Sequence, residues 1–163
     1  MIGARVIATT SDPNKRERAL AIGADHVIVT REQDFVAETK RLTGKLGADV
    51  VLDHVGGEIF EKSVAAVAWG GKIVTCGATA GFAAKVDLRQ IFFRQVEIIG
   101  STMGSYEEFA EVTRLVDQGL PVHVDRTFSL AQYPEAIERL TNGEQLGKIV
   151  LRHDRNVPER TTT

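Results

Sequence analysis

The stretch GARVIATTSDPNKRERALAIGA, residues 3–24, decides the fold. Its first half, ARVIATT, is a short apolar run rich in β-branched residues, the composition of a strand buried on both faces. Asp12-Pro13 then offers a helix N-cap followed by proline at the first helical position, where the missing N–H has no helical partner to lose. Gly23 stands where that helix should stop. The stretch therefore reads as strand, turn and helix.

The same unit recurs along the chain. DHVIV (25–29), ADVVLDHV (48–55), GKIVTCGA (71–78) and VEIIGST (96–102) are further strand-like runs. Between them, Phe35, Thr39 and Leu42 share one helical face between Asp34 and Gly44. Phe60, Val64 and Val67 repeat that spacing ahead of a Gly70-Gly71 turn. Ser105 and Glu108 fit a capping box, Phe109, Val112 and Val116 line the helix behind it, and Gly119 ends it. Strand and helix alternate about four times, so the fold class is α/β with a mainly parallel sheet and right-handed crossovers. From about Leu120 the rhythm changes. PVHVDRTFSL (121–130) looks extended, PEAIERLTNG (134–143) helical and GKIVL (147–151) a short strand. The polar end of the chain, 153–163, reads as a disordered tail.

Composition excludes several classes. The chain has 163 residues, enough for one domain with a core, and 43% hydrophobic and 26% charged content are those of an ordinary globular protein. A formal net charge of -2 gives no basis for nucleic acid or an anionic membrane as partner. No apolar run approaches membrane-spanning length, and the N-terminus lacks a signal-peptide pattern. The one cysteine, Cys76, cannot form an internal disulfide and fits a reducing cytoplasm.

GARVIATTS, GADHVI, GADVVLDHVGG, GGKIVTCGATAG, RQVEIIGSTMGS and the terminal GKIVL together resemble the medium-chain dehydrogenase/reductase superfamily, most closely its zinc-type alcohol dehydrogenases and quinone oxidoreductases. Each motif alone is weak; their order is specific, and the resemblance covers roughly residues 3–152. It implies an incomplete Rossmann-type, doubly wound sheet in which GARVIAT is the second strand. The first strand, the glycine-rich phosphate turn, the first helix and a catalytic domain would precede it. It further implies a partial NAD(P)-binding domain over 1–119 and a segment, 120–152, that in the family returns to the catalytic domain. The function implied is the cofactor-binding half of an oxidoreductase moving hydride to or from an alcohol, aldehyde, enal or quinone. The isolated chain is then expected to be inactive and to bind NADPH no better than millimolar. The alternative is a non-catalytic truncated module acting in binding or dimerisation.

The candidate site residues lie in loops after the strands. NAD-preferring Rossmann proteins usually end their second strand in Asp or Glu, which accepts from the ribose hydroxyls. Here Thr9, Thr10 and Ser11 stand there, leaving room for a 2′-phosphate, and Lys15 or Arg16 supplies charge. Asp12 lies past the strand end and serves as the N-cap. This chemistry favours NADP over NAD. The resemblance places Lys15 at a phosphate-binding position. It also implies that Asp53, His54, Val55 and Gly56 pass under the nicotinamide ribose, contacting it largely through backbone, and that Gly77, Ala78, Thr79, Ser101, Thr102 and Met103 line the nicotinamide pocket. His54 has the titration range of an acid–base group, but a lone histidine at a strand end is more often structural. Catalytic residues are not visible. The histidines and Cys76 lack zinc-ligand spacing, so zinc is not expected on this chain, and Cys76 reads as a small residue inside a buried strand.

Two structural expectations complete the reading. Val96–Gly100 should form a sheet edge and, by the family pattern, the contact of a homodimer, because an exposed apolar edge needs cover. A complete Rossmann sheet has the order 3-2-1-4-5-6. Without strand 1, the strands at Arg5–Thr9 and Val50–Asp53 are expected to close up and pair directly, since unpaired interior backbone is costly.

Overall fold

The computed structural model describes residues 3–153. Its elements run β1 (Ile7–Thr10), a 3-10 turn (Pro13–Lys15), α1 (Arg16–Ala21), β2 (His26–Val29), α2 (Phe35–Leu42), β3 (Ala48–Asp53), α3 (Gly57–Ala66), β4 (Val67–Thr75), α4 (Leu88–Phe92) and β5 (Glu97–Gly100). They continue with α5 (Tyr106–Asp117), β6 (Val124–Ser129), a 3-10 turn (Leu130–Gln132), α6 (Tyr133–Thr141) and β7 (Lys148–Arg152). The chain divides into two compact units between Ser105 and Tyr106. The expected tail lies outside the described residues from 154 onward.

Every strand pair among the described residues is parallel. In the first unit β1 pairs with β2, and β4 lies between β3 and β5. The elements form where local chemistry specifies them. Asp12 caps the first turn, its carboxylate accepting from Asn14 N, with Pro13 at the first position. Asp34 does the same for α2, accepting from Val36 N and Ala37 N. Gly23, with φ of 115°, follows α1.

The core beneath the three-stranded sheet is Val64, Val67, Ile73 and Val96, with Val51, Phe60 and Val86 against it. Burying each of the four core side chains, Val64, Val67, Ile73 and Val96, contributes about 1.5–3 kcal/mol. Arg94 locks the far end of α3. Its guanidinium donates to the carbonyls of Val64 and Val67, and its own carbonyl accepts from Gly70 N. These carbonyls belong to the last turn of α3 and the residue after it, which lack helical partners, so a cation there satisfies both hydrogen bonding and the helix dipole.

Three expectations are corrected. β1 and β3 do not close up: among the described residues β1 pairs with β2 alone and β3 with β4 alone. The helices set the spacing instead, since α2 packs on α3 as well as on β2, and Val6, Val50 and Leu52 stay exposed. Val67 is not a helix residue. It leaves α3 in extended geometry, opens β4 and pairs with Ala48, so the strand runs through Gly70-Gly71 rather than starting after a turn. Cys76 is not in a buried strand: β4 ends at Thr75, and Cys76 is exposed.

In the second unit β6 and β7 pair in parallel, with Phe128 and Ala136 buried. Asp125, whose side chain is fully buried, accepts from Arg139 Nε (2.7 Å), Arg139 Nη2 (3.2 Å) and Leu146 N (3.0 Å). This fork ties α6 to the segment leading into β7.

Candidate functional site

The carboxyl ends of β3, β4 and β5 lie side by side, because the three strands are parallel and neighbours in the sheet. The loops that leave them are joined through backbone. Asp53 O accepts from Cys76 N (3.0 Å), His54 O from Thr79 N (3.4 Å), and Val55 O from Ala80 N (2.8 Å); Gly57 N donates to Gly81 O (3.1 Å). Gly56 and Gly81 form a parallel bridge that extends the ladder beyond the strands. The third loop enters at Ser101, whose N–H donates to Thr75 O (2.9 Å).

Glycine is required at two of these positions. Gly56 has φ of 72° and ψ of -163°, a region essentially restricted to glycine, and an added Cβ would stand 2.6 Å from Gly81 O. At Gly77 a Cβ would meet His54 O at 2.9 Å. The two loops therefore make one platform, with main chain against main chain.

Asp53 shapes this platform from inside. It is 3% exposed. Its Oδ1 accepts from Val55 N (2.8 Å) and Gly56 N (2.9 Å), and its Oδ2 accepts from Ser63 Oγ (2.7 Å). The carboxylate thus faces inward, while His54 is exposed and lends its carbonyl to the neighbouring loop. Thr79 is exposed, its hydroxyl donating to His54 O at 3.4 Å, and Gly77 and Ala78 are partly exposed. Ser101 and Thr102 are exposed, and Met103 is fully exposed with φ of 47°. Ser63, which carries no motif, and Ala80 and Gly81, which end the GGKIVTCGATAG stretch, also belong to the platform. Ser63 lies ten residues beyond Asp53, a distance at which only the fold reveals the contact.

The turn after β1 is built separately. Thr10 Oγ1 accepts from Asp12 N (3.1 Å), and Thr10 O accepts from Thr30 N (2.8 Å), so Thr10 holds the turn and the β1–β2 junction. Asp12 is spent on Asn14 N. Thr9 and Ser11 are exposed and Lys15 is partly exposed. Hydroxyls and ammonium thus stand at this strand end, with its carboxylate engaged in capping. Among the described residues no group of three or more His, Cys, Asp or Glu could hold a metal ion. No described helix is long and apolar enough to cross a membrane.

Parallel strands with joined loops at their carboxyl ends define an α/β protein of the open-sheet, Rossmann-like class. The chain belongs to the zinc-binding dehydrogenase family, whose model matches residues 1–118. Quinone oxidoreductase-like protein 2 of Mus musculus is 28% identical over 91% of this chain and 45% of its own length. The crystal structure of an NAD-dependent alcohol dehydrogenase superposes with a TM-score of 0.81 at 38% identity, covering 93% of this chain and 44% of that one. Crotonyl-CoA carboxylase/reductase AntE, solved with NADP, superposes at 0.83 with 25% identity, covering 92% and 44%. The chain therefore spans less than half the length of these relatives, which are oxidoreductases by name.

Proposed function

We propose that this chain is the cofactor-binding part of a nicotinamide-dependent oxidoreductase that moves hydride to or from an alcohol, aldehyde, enal or quinone. The single observation that carries the proposal is the fused platform at Asp53–Gly57 and Gly77–Gly81, with Ser101 entering beside it, at the carboxyl ends of three parallel strands. Open α/β sheets bind ligands at that edge. The relatives named for NAD or bound to NADP support the same cofactor class.

The nicotinamide ring supplies the hydride chemistry when bound. The chain's own residues orient it. Small residues at Gly77, Ala78 and Ser101 let a planar group approach the backbone. Thr9, Ser11 and Lys15 form a strand end suited to a 2′-phosphate: hydroxyl donors, an ammonium, and an Asp12 carboxylate already committed to Asn14 N. NADP is the favoured form. Substrate and proton-transfer groups are assigned to the remainder of the whole protein, and the exposed β5 edge, where Ile98 and Ile99 remain accessible, to a homodimer contact.

Paired titrations of this chain with NADPH and NADH, followed by amide shifts, test the proposal. NADPH is expected to bind more tightly, with shifts at the platform and the β1 turn. Equal response to both cofactors would remove the NADP assignment, and no response to either would remove the cofactor reading.

A further inference from the structure

The platform raises a question that its exposed residues do not answer: what holds the glycine turn at 55–57 in a conformation that few sequences adopt. Three donors converge on one buried carboxylate. Val55 N and Gly56 N reach Asp53 Oδ1, and Ser63 Oγ reaches Asp53 Oδ2. Asp53 and Ser63 are each 3% exposed. Ser63 sits on α3, nearly two turns past its start at Gly57. The carboxylate therefore bonds the turn with one oxygen and the helix with the other. The same turn carries the Gly56–Gly81 bridge and the Val55–Ala80 hydrogen bond.

We propose that Asp53 and Ser63 are a positioning pair: they set the turn at 55–57, and through its ladder to 78–81 the whole platform, without touching the cofactor. The inference rests on the cofactor reading for its functional consequence only. What the pair needs from Asp53 is an acceptor at Oδ1 and a hydrogen-bonding partner for Ser63 at Oδ2; it does not need the negative charge. An asparagine meets both demands, since its carbonyl accepts from Val55 N and Gly56 N and its amide donates to Ser63 Oγ. A residue that contacted cofactor hydroxyls through a carboxylate would not be replaceable in this way.

The test compares Asp53→Asn, Asp53→Ala and Ser63→Ala in this chain, by amide spectra without ligand and by NADPH titration. Without ligand, Asp53→Ala and Ser63→Ala are expected to shift the amides of Thr79 and Ala80, which lie on the other loop, while Asp53→Asn leaves them near the parent positions. With NADPH at millimolar concentration, Asp53→Ala is expected to lose most of the platform amide shifts that the parent shows, and Asp53→Asn to retain them. If Asp53→Ala fails to fold, Ser63→Ala carries the same expectation with a smaller loss. The proposal is overturned if Asn loses the NADPH shifts as fully as Ala does, or if Ser63→Ala leaves both the ligand-free Thr79 and Ala80 amides and the NADPH shifts unchanged. If the parent chain shows no response to NADPH, the cofactor reading fails, while the ligand-free shifts still decide whether the pair sets the platform.

Discussion

Replacing Gly56 by alanine tests the platform at its tightest point. The backbone there has φ of 72° and ψ of -163°, which costs a residue with a Cβ about 1–3 kcal/mol. The added Cβ would sit 2.6 Å from Gly81 O and 2.9 Å from Ala78 Cα, contacts that force the two loops apart. Separation breaks the Gly57–Gly81 and Ala80–Val55 hydrogen bonds, each contributing about 0.5–1.5 kcal/mol. Gly56→Ala is therefore expected to destabilise the first unit by about 2–6 kcal/mol. Gly70 is the control. Its φ is 68°, yet nothing lies within 4 Å of a Cβ built there, so Gly70→Ala should cost only the left-handed backbone penalty of about 1–2 kcal/mol. Urea denaturation followed by far-UV circular dichroism and by the emission of Trp69, which lies on β4, gives both numbers. Equal costs for the two substitutions would refute the close packing of the loops.

Further outcomes follow from the same geometry. Where NADPH binds, in this chain or in the whole protein, Lys15→Ala should weaken it by about 1.5–3 kcal/mol while changing NADH little, because a charge-assisted bond to the 2′-phosphate is lost; amide-shift titrations with both cofactors check this. Ile98→Lys places a charge on the exposed β5 edge and should convert a homodimer to monomer by light scattering. The Arg89 side chain, and its backbone N–H, hold the Asp87 carboxyl below the usual carboxylate range. The contribution of this α4 cap is thus fully present above the ordinary aspartate pKa and is lost as pH falls through the lowered folded value. A carbon-detected titration of Asp87 should show its midpoint displaced downward, and Arg89→Ala should return it only part of the way, because the N–H of residue 89 still donates to the carboxylate.

Much of this architecture is written locally. Asp12-Pro13 and Asp34 announce helices through side chains that bond the backbone two or three residues on, so their signal needs no tertiary context. The elements that the local pattern does not specify depend on distant partners or are too short to show a period. Val67 continues the helical spacing of Phe60 and Val64, and only pairing with Ala48 and the Arg94 clamp turn it into a strand. The five residues of α4 are too few for a periodic face, though Asp87 caps them by its side chain. The separation of β1 from β3 is set by α2 packing on α3, a contact between helices that no strand pattern contains. The loop residues of the site were legible as glycine-rich turns at strand ends. The inward direction of Asp53 was not, because its partner Ser63 lies on the far side of a helix turn and carries no signature.

The most direct measurement is an amide-resolved titration of this chain with NADPH at concentrations up to millimolar. The account predicts shifts that grow with NADPH without saturating at millimolar concentration, at His54–Gly57, Gly77–Thr79 and Ser101–Met103, together with Thr9–Lys15, and none along α6 or β7. Shifts confined to residues outside these loops, or a complete lack of response at the platform, would contradict it.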